Sequence, residues 1–448
     1  MSELIIELKI NGGAWLTAES LGVSVGTLTR RSLAPDELPI SGQLATPGAA
    51  LPLAYQDALS LRVNGTVVFS GECQPPRLML TESGTAFSLS VLGPWHQLTR
   101  VLYTRSQPRT EGGSLTSLPP TLGSTFVLEG ITYKWARDDN AGTTPIEVSI
   151  PRFLSTRGLL CDPDYSSGTL YRTMTMEIVS LLTYFAASYT RRGASCPITF
   201  SSAGITAALG TTATPRFRTF HDRSVAALIA DLCAARPDAA SWFDYSTTPP
   251  TLHLATAAAM DASTLTVGTP PLAGCDLSAR PDLVPSGVMV RWEYEPAVGW
   301  ESRGYAHPHT VDRSPATIMP HEPGITVHSI PWEDPLLVTP GLASSLMSAS
   351  STLRGSGSIE LAGFDTDLAA AAFRPGLSLT VAGLPLMAGV PLLTQDAAWD
   401  IQGRAVSLSV GFPQALDLQS ARDLRGWLSL TVQGWPWSYT QLVPPPAP

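Results

Sequence analysis

The sequence predicts a mainly β protein with an α+β insert: two strand-rich, barrel-like ends flanking a mixed middle region. Three observations predict it. Short apolar–polar alternations punctuated by turn residues fill the first hundred residues and return after residue 285. The dipeptide Asn64-Gly65 sits between two such alternations, as a type I′ hairpin requires. Helical periodicity is confined to the middle and to one segment near residue 340.

In the N-terminal part, Leu4 to Ile10 is a short apolar strand. Leu59 to Val63 and Thr66 to Phe69 form the arms of the Asn64-Gly65 hairpin, and Arg77–Thr81 with Ala86–Leu92 continue it through a turn over Glu82–Thr85. The stretch from Ala34 to Pro52 is small, polar and broken by proline, and predicts a long loop. This first unit spans residues 1–108. Residues 109–215 form a mixed insert, in which Phe126–Leu128 and Ile131–Trp135 predict a hairpin and Met174–Tyr189 a buried helix ending at Arg191-Arg192-Gly193.

Residues 216–284 read as a helix-plus-hairpin module. Val225, Leu228, Ile229 and Leu232 follow helical spacing behind a cap at Asp222, and Arg236-Pro237 stops the helix. Ser241–Tyr245 then leads through a Thr-Thr-Pro-Pro turn to Thr251–Leu254. The second strand-rich unit, 285–415, has strands at Val288–Tyr294, Ser358–Leu361, Leu377–Val381, Leu392–Trp399 and Ala405–Val410, with a helix from Thr339-Pro340 to Gly355. The tail, 416–448, is aromatic and then proline-rich, and semi-rigid in its last residues.

Composition narrows the function. The chain of 448 residues is 44% hydrophobic but only 15% charged, with 37 glycines, 39 prolines and a formal net charge of −9. No apolar run is long enough for a membrane-spanning helix, and the start lacks the basic and small-residue marks of a secretory signal. No basic stripe exists to release counterions from nucleic acid. A surface so poor in charge is one that other subunits cover. The five cysteines, Cys73, Cys161, Cys196, Cys233 and Cys275, have no metal or disulfide spacing and read as reduced, buried thiols.

Enzyme signatures are missing. Neither lysine, Lys9 or Lys134, is followed by Ser or Thr as a phosphate-binding loop requires, and no GxSxG or strand-linked GxGxxG occurs. Carboxylate pairs such as Asp138-Asp139, Asp162/Asp164 and Glu333-Asp334 lie among loop residues. His307, His309, His321 and His328 cluster in one stretch, where His307 and His309 would share a strand face suited to two metal ligands. Five prolines from Pro308 to Pro331 favour an irregular polar loop instead, so no metal, cofactor or catalytic residue is assigned. Trp15, Trp95, Trp135, Trp242 and Trp292 invite a sugar-stacking reading, but their scatter favours core packing. Trp427, Trp435, Trp437 and Tyr439 are denser and form a candidate docking strip for a partner.

Beyond these features, several motifs resemble those of bacteriophage tail hub (baseplate hub) proteins. They are Val63-Asn64-Gly65-Thr66-Val67-Val68-Phe69-Ser70-Gly71, then Ala86–Val91 with Gly93-Pro94-Trp95 and Leu98. The opening Phe373-Arg374-Pro375-Gly376-Leu377 and the close from Gln395 through Gly403 and Leu408–Pro413 to Leu416 and Asp423-Leu424 are similar to the family's second half. The Asp222 helix followed by Trp242–Tyr245 looks like its middle module. The resemblance implies a non-enzymatic structural protein of the virion tail tip, with two tail-tube-type barrels per subunit. It further implies a homotrimer whose six barrels continue the tail tube, assembled in the host bacterial cytoplasm. The partners it implies are a distal tail or tail-tube protein and a central fibre or spike. DNA would pass through the lumen without specific binding during ejection, after host attachment. Some relatives carry a C-terminal peptidoglycan-cleaving domain, and the short stretch after the last hairpin puts a lytic role in doubt. The readings from other classes are a β-rich carbohydrate-binding or carbohydrate-cleaving protein, and a metal-dependent hydrolase centred on His307–His328.

Overall fold

The computed structural model describes residues 4–44, 46, 49–81, 84–103, 125–128, 131–134, 174–210, 223–233, 236, 238–279, 286–294, 309–317, 325–332, 343–344, 347–348, 355–364, 366, 368–385 and 387–411. Among them the chain is mainly β, with 23 strands, four bounded α-helices and helical residues near 343–348.

The N-terminal strands are short because apolar residues alternate for only a few positions before a turn. β1 (Ile6–Ile10) buries Leu8 and pairs with β2 (Trp15–Thr17). β3 (Val23–Val25) and β4 (Leu28–Arg31) bury alternate residues. β5 (Glu37–Gln43) runs through the stretch expected to be a loop, and corrects that expectation. Leu38 and Ile40 alternate into the core, and the intervening Pro39 only removes one donor while its carbonyl accepts from Gly26 N at 2.9 Å.

The predicted hairpin is present as β6 (Ala58–Val63) and β7 (Thr66–Cys73), with Val63 opposite Thr66. Asn64 and Gly65 take φ of 47° and 83°, the left-handed pair that matches the strand twist. The Asn64 side chain also accepts from Ile5 N at 2.9 Å, which ties the turn to the start of β1. β8 (Arg77–Thr81) and β9 (Gly84–Leu92) follow, paired so that Thr81 faces Gly84; the strand resumes earlier than the expected turn over Glu82–Thr85. α1 (Trp95–Arg100) seals this part with buried Trp95 and Leu98, so Trp95 sits on a helix rather than in a strand.

In the middle, β10 (Thr125–Leu128) and β11 (Ile131–Lys134) form the expected hairpin. α2 (Met174–Arg191) buries Met174, Ile178, Leu181, Leu182 and Phe185 along one stripe. β12 (Thr199–Phe200) precedes α3 (Ser202–Leu209), which Ser201 caps by accepting from Gly204 N at 3.0 Å. α4 (Val225–Cys233) has its apolar stripe where the periodicity put it, but the capping oxygen is Ser224 Oγ, which accepts from Ala227 N at 3.2 Å. Ser224 directly precedes the first helical residue, whereas Asp222 lies outside the described residues. β13 (Ala239–Asp244) and β14 (Thr251–Thr256) make the expected antiparallel pair, with β12 parallel to β14.

β15 (Asp261–Thr266) and β16 (Leu272–Ala279) come next, followed by β17 (Gly287–Tyr294), β18 (His309–Ser314) and β19 (Ile325–Trp332), a separate sheet in the order β18-β17-β19. Within the expected helix from Thr339 to Gly355, Ala343–Ser344 and Met347–Ser348 are helical and the remaining positions before Gly355 lie outside the described residues. β20 (Gly355–Leu361), β21 (Leu377–Ala382), β22 (Leu392–Asp400) and β23 (Ala405–Val410) complete the second strand-rich part.

Pairing joins the two ends. One sheet runs β16-β20-β23-β22-β4-β5-β9-β7-β6-β1-β2, with β3, β8, β15 and β21 branching from it. The link is β4 against β22, where Arg30 faces Ala397 and Leu28 faces Trp399. Among the described residues the path is open and neither end closes into a barrel, where two barrel-like units were expected. β4 pairs both with β5 of its own end and with β22 of the other, and β22 likewise pairs with β23 and β4. A single cluster of buried apolar side chains accordingly extends from Leu8 to Val410.

Two predictions follow from these local structures. Gly65→Val puts a β-branched residue at φ 83° and is expected to cost at least about 1–3 kcal/mol in chemical denaturation, while Gly65→Asn costs less; equal stability of Gly65→Val and wild type contradicts the turn. Burial pushes the Asp231 carboxyl on α4 up to about 6 although it pairs with Arg223. A carboxyl raised above its unfolded value favours the fold when protonated, so this group's contribution improves as pH falls through 6 and is complete below its ordinary 3.8. Asp231→Asn removes that dependence, and its stability relative to wild type is expected to change by roughly 2–3 kcal/mol between pH 8 and pH 4. A difference that is flat with pH contradicts it.

Candidate functional site

The most unusual chemistry lies where β4 meets β22. Arg30, at 8% exposure, projects from β4 into the core because it lies two residues from buried Leu28 and so shares its strand face. Its Nη1 donates to the Ala371 carbonyl at 2.8 Å and its Nη2 to the Val68 carbonyl at 2.9 Å. Arg30 thereby holds backbone from both strand-rich ends. Asp36, just before β5, is also buried. It accepts from Arg31 N at 2.9 Å and from the Tyr245 hydroxyl, while its own carbonyl accepts from Gly93 N at 2.8 Å.

The helix-plus-hairpin segment enters through β13. Tyr245 follows that strand, with its ring 5.5 Å from Phe69 and 6.1 Å from Phe243. Ser241 accepts from Leu33 N at 2.7 Å and Ser241 N donates to Ser32 Oγ at 3.0 Å; Ser32 N donates to the Gln395 carbonyl at 2.9 Å. Three segments far apart in sequence thus meet at residues 30–36.

Electrostatics follow from burial. Desolvation pushes the Asp36 carboxyl above the usual carboxylate range, opposed by the Tyr245 hydroxyl, the Arg31 amide and the Arg30 and Arg31 charges. Desolvation, then the Asp36 charge and hydrogen bond, push the Tyr245 phenol well above its ordinary value. Desolvation lowers the Arg30 guanidinium, with Asp36 acting against it. Buried charges of this kind stay only when paired and hydrogen-bonded, and removing one partner leaves the other stranded.

A second contact reinforces the first. Trp242 of β13 stacks on His253 of β14, its cross-strand partner, with centroids 5.3 Å apart and planes 8° apart. The Arg374 guanidinium lies 4.3 Å from the Trp242 ring centroid and pairs with Asp261 at 2.8 Å. Gly376 is needed here on two counts: its φ is 75°, and a Cβ would lie 2.2 Å from Trp242 Cε3. Burial holds His253 below its ordinary value, with Asp244 acting against it.

The histidine stretch is different from the loop expected. His309 opens β18 and His328 lies in β19, on opposite flanks of β17; the prolines are overridden by the β-branched runs Thr310-Val311 and Ile325-Thr326-Val327. His309 faces Glu293 and His328 faces Val290, three positions apart along β17. His307 and His321 lie outside the described residues, as do Trp427, Trp435, Trp437 and Tyr439. Among the described residues, no three His, Cys, Asp or Glu side chains form a group that could hold a metal ion.

Among the described residues Trp15, Trp95 and Trp242 do not form a platform. Trp95 is buried, Trp242 is taken up by His253 and Arg374, and Trp15 has the Arg62 guanidinium 4.4 Å from its centroid. Trp135 lies outside the described residues. Cys73 and Cys233 are buried, with thiols pushed up to about 12 by burial; Cys196 and Cys275 are only half-buried, and Cys161 lies outside the described residues.

Sequence reasoning missed the junction although its pieces were visible. Arg30 belongs to the pair Arg30-Arg31, too short to count as a basic stripe, Asp36 fell in the supposed loop, and Tyr245 closed a motif noted for its pattern alone. Their convergence is a property of long-range strand pairing. Tyr245→Phe removes one donor to buried Asp36 and is expected to destabilise the chain by about 1–3 kcal/mol in urea unfolding; a loss under about 0.5 kcal/mol contradicts the junction.

No protein-family profile and no curated protein sequence matches the chain. Solved structures do. A 43 kDa tail protein of prophage MuSo2 from Shewanella oneidensis is 14% identical, with TM-score 0.48, covering 93% of this chain and all of that one. A tail protein from Neisseria meningitidis MC58 is 10% identical, with TM-score 0.47, covering 92% and 97%. An Escherichia coli component of the type VI secretion system, described as similar to T4 bacteriophage tail proteins, is 9% identical, with TM-score 0.43, covering 90% and 76%. The first two of these are described as tail proteins and the third as similar to tail proteins.

Proposed function

We propose that the chain is a structural, non-enzymatic tail hub protein that closes a phage tail tube at its tip. The observation that carries this reading is the pairing of β4 with β22, which makes two strand-rich ends of one chain into a single continuous sheet. A subunit built this way presents two tube-like halves in fixed register, so three copies supply the six positions of a tail tube. The Arg30–Asp36–Tyr245 cluster supports the same reading, because it locks those halves at one relative position.

In this reading the protein is a homotrimer in the virion tail tip, assembled in the host bacterial cytoplasm. Its upper face meets a distal tail or tail-tube protein and its lower face a central fibre or spike. The aromatic strip Trp427, Trp435, Trp437 and Tyr439 is the proposed docking element for the latter. The formal charge of −9 suits a lumen through which DNA slides without being held. Among the described residues no helix is long and apolar enough to cross a membrane. The carbohydrate reading has no support at Trp95 or Trp242, whose rings are packed against the chain itself.

Native mass spectrometry of the full chain tests the proposal, since it reports copy number and bound metal together. Three copies without metal are expected. A monomer carrying stoichiometric zinc overturns the proposal in favour of a histidine-centred site.

A further inference from the structure

We propose that the outer edge of β8 is the strand on which a second copy of this chain docks through its β16, so that neighbouring copies share one extended sheet. The inference rests on the assembly reading above and names the surface that assembly would use.

β8 carries three consecutive exposed apolar side chains, Leu78 at 55%, Met79 at 43% and Leu80 at 85%. Such a run is costly to leave in water, and sheet edges are where proteins ordinarily place charge instead. Among the described residues β8 pairs with β9 alone, so one row of its backbone donors and acceptors is open. Leu78 and Leu80 occupy one parity of the strand and Met79 the other, so both faces of the β8–β9 hairpin are apolar here. A flat partner such as a lipid surface covers one face only. Another sheet edge, with side chains above and below, covers both.

The complementary edge is on the same chain. β16 ends the long strand path and, among the described residues, pairs with β20 alone. It is eight residues long against five in β8. Its exposed positions, Ala273, Asp276, Ser278 and Ala279, are small or acidic. The small residues leave room for Leu78 and Leu80, and Asp276 offers a charge to exposed Arg77 at the start of β8. Joining two different edges is a head-to-tail contact, the kind that closes into a ring when the rotation permits.

The test uses the full chain in sedimentation-velocity runs over a concentration series. Arg77→Asp alone is expected to weaken self-association by about tenfold or more, and Arg77→Asp with Asp276→Arg to restore it to within about threefold of wild type. Leu80→Glu is expected to give a monomer whose melting temperature matches wild type. Three results overturn the inference: an unchanged oligomer in Arg77→Asp and Leu80→Glu, no rescue by the double exchange, or a melting temperature lowered by Leu80→Glu without a change in mass, which would place the strand against its own chain. An oligomer of three that ignores these substitutions leaves the hub reading standing while removing this interface; a copy number other than three with intact charge-swap rescue does the reverse.

Discussion

The buried guanidinium of Arg30 is the contact on which the rest of the architecture depends. Its two terminal nitrogens bind carbonyls of residues 68 and 371, which belong to opposite ends of the chain. A carbonyl pair held by one side chain cannot separate without leaving a charge in an apolar surrounding. Asp36 supplies the balancing charge, and Tyr245 satisfies one of its oxygens while bringing the helix-plus-hairpin segment to the same place. The β4–β22 ladder and the continuous apolar core surround this cluster and exclude water from it. Low dielectric strengthens each of these bonds and also raises the penalty for losing any one of them.

This arrangement explains why an open sheet can serve where two separate barrels were expected. A barrel satisfies its edges by closing on itself. Here β4 and β22 pair with one another as well as within their own ends, and among the described residues the path ends at β16 and β2, with β8 branching from β9. The second cluster, Trp242 with His253, Arg374 and Asp261, braces β13 against the segment leading into β21 and keeps the middle segment from shifting relative to the sheet.

Much of the fold was legible because its signals are local. Asn64-Gly65 defines a turn wherever it occurs between alternating strands, and Ala405–Val410 alternates cleanly enough to be read with its observed bounds. β5 was hidden by Pro39 and Gly42, which resemble loop composition although Leu38 and Ile40 carry the alternation. β15 was hidden for another reason: its sequence is polar, and it becomes a strand by lying parallel to β21, more than a hundred residues away. The junction was illegible for the same reason, since Arg30, Asp36 and Tyr245 acquire their role only when distant segments pack. For the histidine stretch, composition pointed to a loop, whereas pairing with β17 made strands of His309–Ser314 and Ile325–Trp332.

Native-state hydrogen exchange read by mass spectrometry, comparing wild type with Arg30→Met, is the most direct measurement of the claim that one buried cluster unites the two ends. The account predicts that amides of β4 and β22 exchange together, among the slowest in the chain, and that Arg30→Met speeds both by a similar factor. Faster exchange in β4 with β22 unaffected would contradict it, and would mean that the two ends are stable independently of the junction.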